Sequence, residues 1–169
     1  MLNILDYEKA SQALLEPSAS DYYKSGAMDE HTLADNTDAF RRIKLLPRVL
    51  NDVSNVNIST RLATLTVDSP LIISPTAFLG MAHPDGELAV ARAASASNNI
   101  MICSTMANQP IEEVTTSTQS SVWFQLYGYK DKEATLALIE RAKNAGCKAI
   151  VITVDAPFLG QREQDVRNQ

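Results

Sequence analysis

The run Ala149-Ile150-Val151-Ile152-Thr153-Val154-Asp155 turns from apolar to polar within a few residues, and Pro157, Gly160 and Arg162 follow it. Such a run reads as a buried parallel strand that delivers polar side chains, here a hydroxyl, a carboxylate and a guanidinium, to a site at its C-terminal end. Three earlier segments share the layout: Leu71-Ile72-Ile73-Ser74 before Pro75-Thr76-Ala77, Ile100-Met101-Ile102-Cys103 before Ser104-Thr105, and Val122-Trp123-Phe124-Gln125-Leu126-Tyr127. Together these strand ends read as one half of an active site.

The elements that must position them follow a regular order. After Ser69, short apolar strands alternate with helical patterns, the signature of βαβ units and a parallel sheet. Pro84 opens a helix running to about Ser97, and Pro110 opens a shorter one through Val114. A third has Asp131 as N-cap, Ala134, Leu138 and Ala142 on one face, and Gly146 as its stop. A complete (β/α)8 barrel needs about 250 residues, so four strands and their helices amount to its first half. The inner sheet face is expected to include Ile73, Ile102 and Ile152. Before the array, helices are expected over Tyr7 to Leu15, Ser18 to Ser25 and Asp29 to Phe40. An extended Leu45-Leu46-Pro47-Arg48-Val49-Leu50 follows, then a short hairpin within Val56 to Val67. The expected division is 1–68, helical segment and hairpin, and 69–169, half-barrel.

Composition narrows the function. The chain has 169 residues, 45% of them hydrophobic and 21% charged, the profile of one globular domain with a real core. A net charge of −5 speaks against nucleic acid or an anionic membrane as the main partner, because either needs clustered Lys and Arg. No apolar run approaches the roughly 20 residues of a membrane span, and no signal peptide opens the chain, so a soluble, cytoplasmic protein is expected. Cys103 and Cys147 stand far apart in apolar surroundings and read as reduced packing residues. There is no G-x-G-x-x-G, P-loop or G-x-S-x-G, and no spacing that would hold a metal.

The motifs Asp21-Tyr22-Tyr23-Lys24-Ser25-Gly26-Ala27, Pro75-Thr76-Ala77, Met81-Ala82-His83-Pro84-Asp85-Gly86-Glu87, Phe124-Gln125-Leu126-Tyr127 and Thr153-Val154-Asp155-Ala156-Pro157 with Leu159-Gly160-Gln161-Arg162-Glu163 occur in this order. In this the chain resembles the FMN-dependent α-hydroxy-acid oxidases and dehydrogenases, among them glycolate oxidase, lactate oxidase and the flavin domain of flavocytochrome b2. The resemblance implies FMN as cofactor, with the backbone at Thr76 and Ala77 facing the flavin N5 side and Ser104, Gln125 and Thr153 hydrogen-bonding the ring. It implies that Tyr22 bonds the substrate carboxylate, that Tyr127 lies near the substrate hydroxyl, and that Arg162 favours anionic substrate. Asp155 would orient a catalytic histidine and stabilise it when protonated. Unaided, the tyrosines read as core or interface rings and Arg162 as a surface residue.

That histidine and its neighbouring arginine come from a later strand of the family's barrel. His31, in a polar helical segment, and His83, before Pro84 at a helix start, are poor substitutes. Met106 stands where glycolate oxidases of the family often carry Trp. The expectation is therefore the N-terminal half of an (S)-2-hydroxy-acid oxidase, inactive alone. The complete enzyme, a homo-oligomer, would oxidise glycolate or lactate to the 2-oxo acid while O2 becomes H2O2. The alternative is a non-catalytic half-barrel that assembles with itself or with a separate C-terminal half.

Overall fold

From Ile72 onward, short stretches of β-branched and aromatic residues are separated by segments that open with Pro or Asp and close with Gly or Ser. They fold as β3 (Ile72–Ile73), α4 (Gly86–Ala96), β4 (Ile100–Cys103), α5 (Ile111–Thr116), β5 (Val122–Leu126), α6 (Lys132–Asn144) and β6 (Ile150–Ile152). The structure is a computed structural model and describes residues 1–168. The four strands pair in parallel in the order β3-β4-β5-β6, each joined to the next through a helix. An antiparallel hairpin, β1 (Thr60–Leu62) and β2 (Leu65–Val67), precedes them.

Helix α6 shows how local chemistry sets the boundaries. The Asp131 carboxylate accepts the N–H groups of Glu133 and Ala134 at 2.9 and 3.1 Å, satisfying two donors that the first turn leaves without partners. At the other end Gly146 takes φ +91°, the left-handed conformation that closes a helix and that a side chain resists.

The helices cover one face of the sheet. Ala91 and Ala94 from α4, Ile111 and Val114 from α5 and Ala142 from α6 pack on Met101, Cys103, Val122, Phe124 and Leu126. Alanines on α4 let its backbone approach the strands, and each large side chain taken fully out of water stabilises by about 1.5–3 kcal/mol. Phe124→Ala would cost about 3–5 kcal/mol, through lost transfer energy and the cavity left behind.

Register corrects one expectation. Ile73 pairs with Met101 and Ile152 with Leu126, so both lie on the helix-covered face, and Ile73 packs against the core. The opposite face carries Ile102 beside Trp123 and Gln125 beside Val151. Of the three inner-face candidates, only Ile102 is there.

The chain divides into two compact units, 56–157, described above, and 1–55 together with the segment from Phe158 onward. In the second unit α1 (Ile4–Gln12), α2 (Pro17–Lys24), α3 (His31–Arg42) and α7 (Glu163–Arg167) are the regular elements, and α2 packs against α7. Asn3 caps α1 by accepting the Asp6 N–H at 3.0 Å, and Ala19 is this unit's buried apolar residue. No regular element follows α3 before Thr60, and Leu45, Leu46, Val49 and Leu50 in that stretch are exposed.

Candidate functional site

Strand alternation decides which polar groups meet. Gln125 follows Trp123 by two residues and Ser104 follows Ile102 by two, while Thr153 follows Val151 by two. All three therefore continue the face without helices, at the C-terminal ends of adjacent strands. The Gln125 amide joins them. Its Nε2 donates to Thr153 Oγ1 at 2.9 Å, and its Oε1 accepts the Thr105 N–H at 3.0 Å and, more weakly, the Ser104 hydroxyl at 3.4 Å. Gln125 and Ser104 are buried, and these bonds are what makes burying an amide tolerable.

Thr105, which the sequence places after the β4 strand end without assigning it a role, does as much as any predicted residue. Besides its N–H, its hydroxyl donates to the Gln125 carbonyl, so backbone and side chain of one residue fix both ends of the glutamine. The available signal was a β-branched hydroxyl directly after a strand-end serine. The Ser104 hydroxyl in turn accepts the Met106 N–H at 3.0 Å, closing a tight turn.

The remaining residues of this unit stand apart from the row. Thr76 is exposed and Ala77 half-buried in the loop after β3, and the next N–H, from Phe78, donates to the Met106 carbonyl at 3.0 Å. Tyr127 and Asp155 lie two residues beyond Gln125 and Thr153 and are exposed. His83 Nδ1 accepts the Asp85 N–H at 3.1 Å, occupying its ring at the approach to α4, and His31 is exposed at the start of α3. Among the described residues no three His, Cys, Asp or Glu side chains converge as a metal site. Burial, reinforced by the Glu87 charge, pushes the Cys103 thiol up to about 12, and burial with the Glu112 charge takes half-buried Cys147 to about 11. Both are free thiols.

In the other unit Tyr22 and Arg162 come together across 140 residues of sequence. The Arg162 guanidinium lies over the Tyr22 ring, 5.1 Å from its centroid, a cation–π geometry. It also donates to the Tyr22 carbonyl, to Ser25 Oγ at 3.4 Å and, through Nε, to the Asp165 carboxylate. These contacts fix the plane of the guanidinium and leave Nη1 without a bond among the described contacts.

A sequence profile described as FMN-dependent dehydrogenase matches residues 11–169, and the chain belongs to that family of FMN-dependent α-hydroxy-acid dehydrogenases. It is 47% identical over 167 residues to glycolate oxidase 3 of Arabidopsis thaliana, an alignment covering 99% of this chain and 45% of that one. It is also 47% identical over 172 residues to the L-lactate oxidase of a Nostoc species, covering 99% and 47%. The structure matches that of a mandelate oxidase variant solved with (S)-mandelic acid at TM-score 0.95 and 34% identity, over 99% of this chain and 50% of the other. The α/β fold is therefore half of a TIM barrel of that kind, and the chain spans about half the length of the curated relatives it matches. Another relative, 44% identical, is a peroxisomal (S)-2-hydroxyacid oxidase of Arabidopsis thaliana. No helix among the described residues is long and apolar enough to cross a membrane.

Proposed function

We propose that this chain supplies the flavin-ring contacts and part of the substrate pocket of an (S)-2-hydroxy-acid oxidase acting on glycolate or L-lactate. The observation that carries this is the row Ser104–Gln125–Thr153, in which the Gln125 amide links two hydroxyls so that hydroxyl, carbonyl and N–H groups lie side by side at three strand ends. A flavin's pyrimidine edge alternates carbonyl and N–H groups and so needs donors and acceptors set in a row, which these residues fit. Thr153 Oγ1 accepts from Gln125 and keeps its own hydrogen to donate, and the second Gln125 Nε2 hydrogen also has no described partner. When bound, FMN would take up the hydride from C2 of the substrate and pass the electrons to O2, giving H2O2.

The chain's own groups then divide the work. Thr76 and Ala77 present backbone toward the flavin N5 side. Tyr22 holds the substrate carboxylate and Arg162 Nη1 adds charge pairing, while the Tyr127 hydroxyl lies near the substrate hydroxyl and orients it. Asp155 stabilises an imidazolium formed on proton abstraction by a base that neither His31 nor His83 supplies. A helical segment with hairpin over 1–68, a half-barrel over 69–169, a cytoplasmic location and a homo-oligomeric complete enzyme belong to the same proposal, and the free thiols fit the reducing compartment it names.

A chimera tests the reading: this chain in place of the matching half of the Arabidopsis glycolate oxidase. A yellow protein releasing peroxide from glycolate or L-lactate, and losing flavin on Gln125→Leu, is the expected result. A folded, monodisperse chimera that stays colourless with excess FMN would overturn it.

A further inference from the structure

Glu87 is the one acidic side chain wholly out of water among the described residues, and the proposed chemistry does not use it. Its motif, Met81 to Glu87, is likewise unaccounted for. A buried carboxylate is costly unless its lone pairs are occupied, and no lysine, arginine or histidine pairs with this one among the described residues. Two consecutive amides take that place: Oε1 accepts the Asn108 N–H at 3.1 Å and Oε2 accepts the Gln109 N–H at 3.2 Å. The first turn of α4, where Glu87 sits, also favours negative charge.

The clamped segment is the turn after β4, and its other bonds lead to the site. Asn108 Oδ1 accepts the Gly80 N–H at 2.8 Å, the Met106 carbonyl accepts from Phe78, and the Thr105 N–H reaches Gln125 Oε1 at 3.0 Å. Two glycines let the pieces approach. A Cβ on Gly80 would sit 2.8 Å from Asn108 Oδ1, and Gly86 has φ +38° with the Gly80 backbone 3.2 Å from where its Cβ would be. Thus Gly80, Gly86 and Glu87 bring the start of α4 beneath the turn that carries Ser104 and Thr105.

We propose that Glu87 is a positioning residue of the flavin site: its carboxylate fixes the Asn108–Gln109 amides and thereby sets Thr105, which orients the Gln125 amide. The cofactor named here rests on the function proposed above. The mechanical part stands without it, because every contact lies within the chain.

The test is amide hydrogen exchange and side-chain NMR on the flavin-free 169-residue chain. Glu87→Gln keeps one acceptor and turns an NH2 toward an amide N–H. Exchange at Asn108 or Gln109 should quicken about tenfold to a hundredfold, as for a lost hydrogen bond to a charged acceptor. The Thr105 amide should follow and the Gln125 side-chain NH2 resonances should move, with β4 and α6 amides unchanged. Loosening confined to Asn108 and Gln109, or uniform loss across the chain, would reduce Glu87 to a local or general stabiliser and overturn the proposal. Should Glu87→Gln not fold, Asn108→Ala decides, since it removes the bond to Gly80 and keeps both bonds to Glu87. Retained Thr105 protection supports Glu87 as the anchor, and lost protection moves that role to Asn108. A colourless chimera would refute the flavin reading and leave these results standing, so the two failures are distinguishable.

Discussion

Gln125→Leu separates the structural part of the strand-end row from its chemistry. Leucine keeps roughly the volume of glutamine and removes the amide. The half-buried Thr105 N–H then loses its 3.0 Å acceptor, and an unsatisfied donor of this kind costs about 1–3 kcal/mol. Ser104 loses only a 3.4 Å contact while still accepting from Met106, and half-buried Thr153 can turn to water, so together they add about 0.5 kcal/mol. Burying leucine in place of an amide recovers about 1 kcal/mol. The balance is a destabilisation of about 1–2 kcal/mol, or a urea midpoint lower by roughly 0.5–1 M at an m-value near 2 kcal/mol/M. Urea titration of the 169-residue chain by circular dichroism measures it, with m unchanged. In the glycolate oxidase chimera the same change is expected to weaken FMN about tenfold to a hundredfold, the equivalent of one or two hydrogen bonds. A midpoint equal to or above that of the parent chain would refute the hydrogen-bond reasoning. A lowered midpoint with unchanged FMN affinity would refute the cofactor role alone.

The other expectations concern separate parts of the molecule. In the chimera, Tyr127→Phe should slow flavin reduction and Tyr22→Phe should mainly weaken substrate binding; stopped-flow reduction against substrate titration tells them apart, and equal effects on both would contradict the division of roles. Cys103 and Cys147, raised to about 12 and about 11, hold their protons after the unfolded chain has begun to release its own near pH 9.0, the ordinary range of a thiol. Stability from this source is full below pH 9 and declines as the pH rises toward 11–12, and native thiols should resist iodoacetamide at pH 8 until urea exposes them; rapid native labelling would count against it. Gly146→Ala meets no atom within 4 Å yet must hold φ +91°, so a loss of about 1–2 kcal/mol in chemical denaturation is expected, and no loss would show that α6 can end in another way. Strands β3 and β6 each have one unpaired side, with Leu71 and Val154 exposed next to them, so the chain alone should associate with itself; a monodisperse monomer by light scattering at high concentration would refute this.

How far the sequence could be read depended on the range of the interactions involved. The helix stops and caps are local, and Asp131 and Gly146 act as their residue types require. The sequence makes the edge strands too long, Leu71–Ser74 against Ile72–Ile73 and Ala149–Val154 against Ile150–Ile152, because an edge strand extends only as far as its ladder to a single neighbour, here Ile100–Met101 for β3 and Phe124–Leu126 for β6. The faces of Ile73 and Ile152 were misread for a related reason. A strand apolar on both sides loses the period-2 signal, and register, which comes only from pairing, then decides which side chain faces which way. Helix α7, five residues long and braced by Arg167 with Glu163, is too short to leave a periodic trace.

The site divides along the same line. Ser104 and Thr153 follow apolar runs and Gln125 lies near the end of one, positions that ordinary strand-end residues also fill, and it is the resemblance to the flavin family that singles them out as ring-binding candidates. Thr105 and Glu87 act through bonds spanning 20 to 22 residues of sequence, and the local signals they carry, a hydroxyl after a strand-end serine and a glutamate closing a motif, do not reveal those partners. A glutamate in the first turn of a helix looks like an ordinary answer to the helix dipole, and only its complete burial shows a second task. The candidates for touching a ligand thus come from strand ends read together with the family resemblance, while the bonds that hold those residues in register emerge once two loops and a helix start are seen to share the same amides.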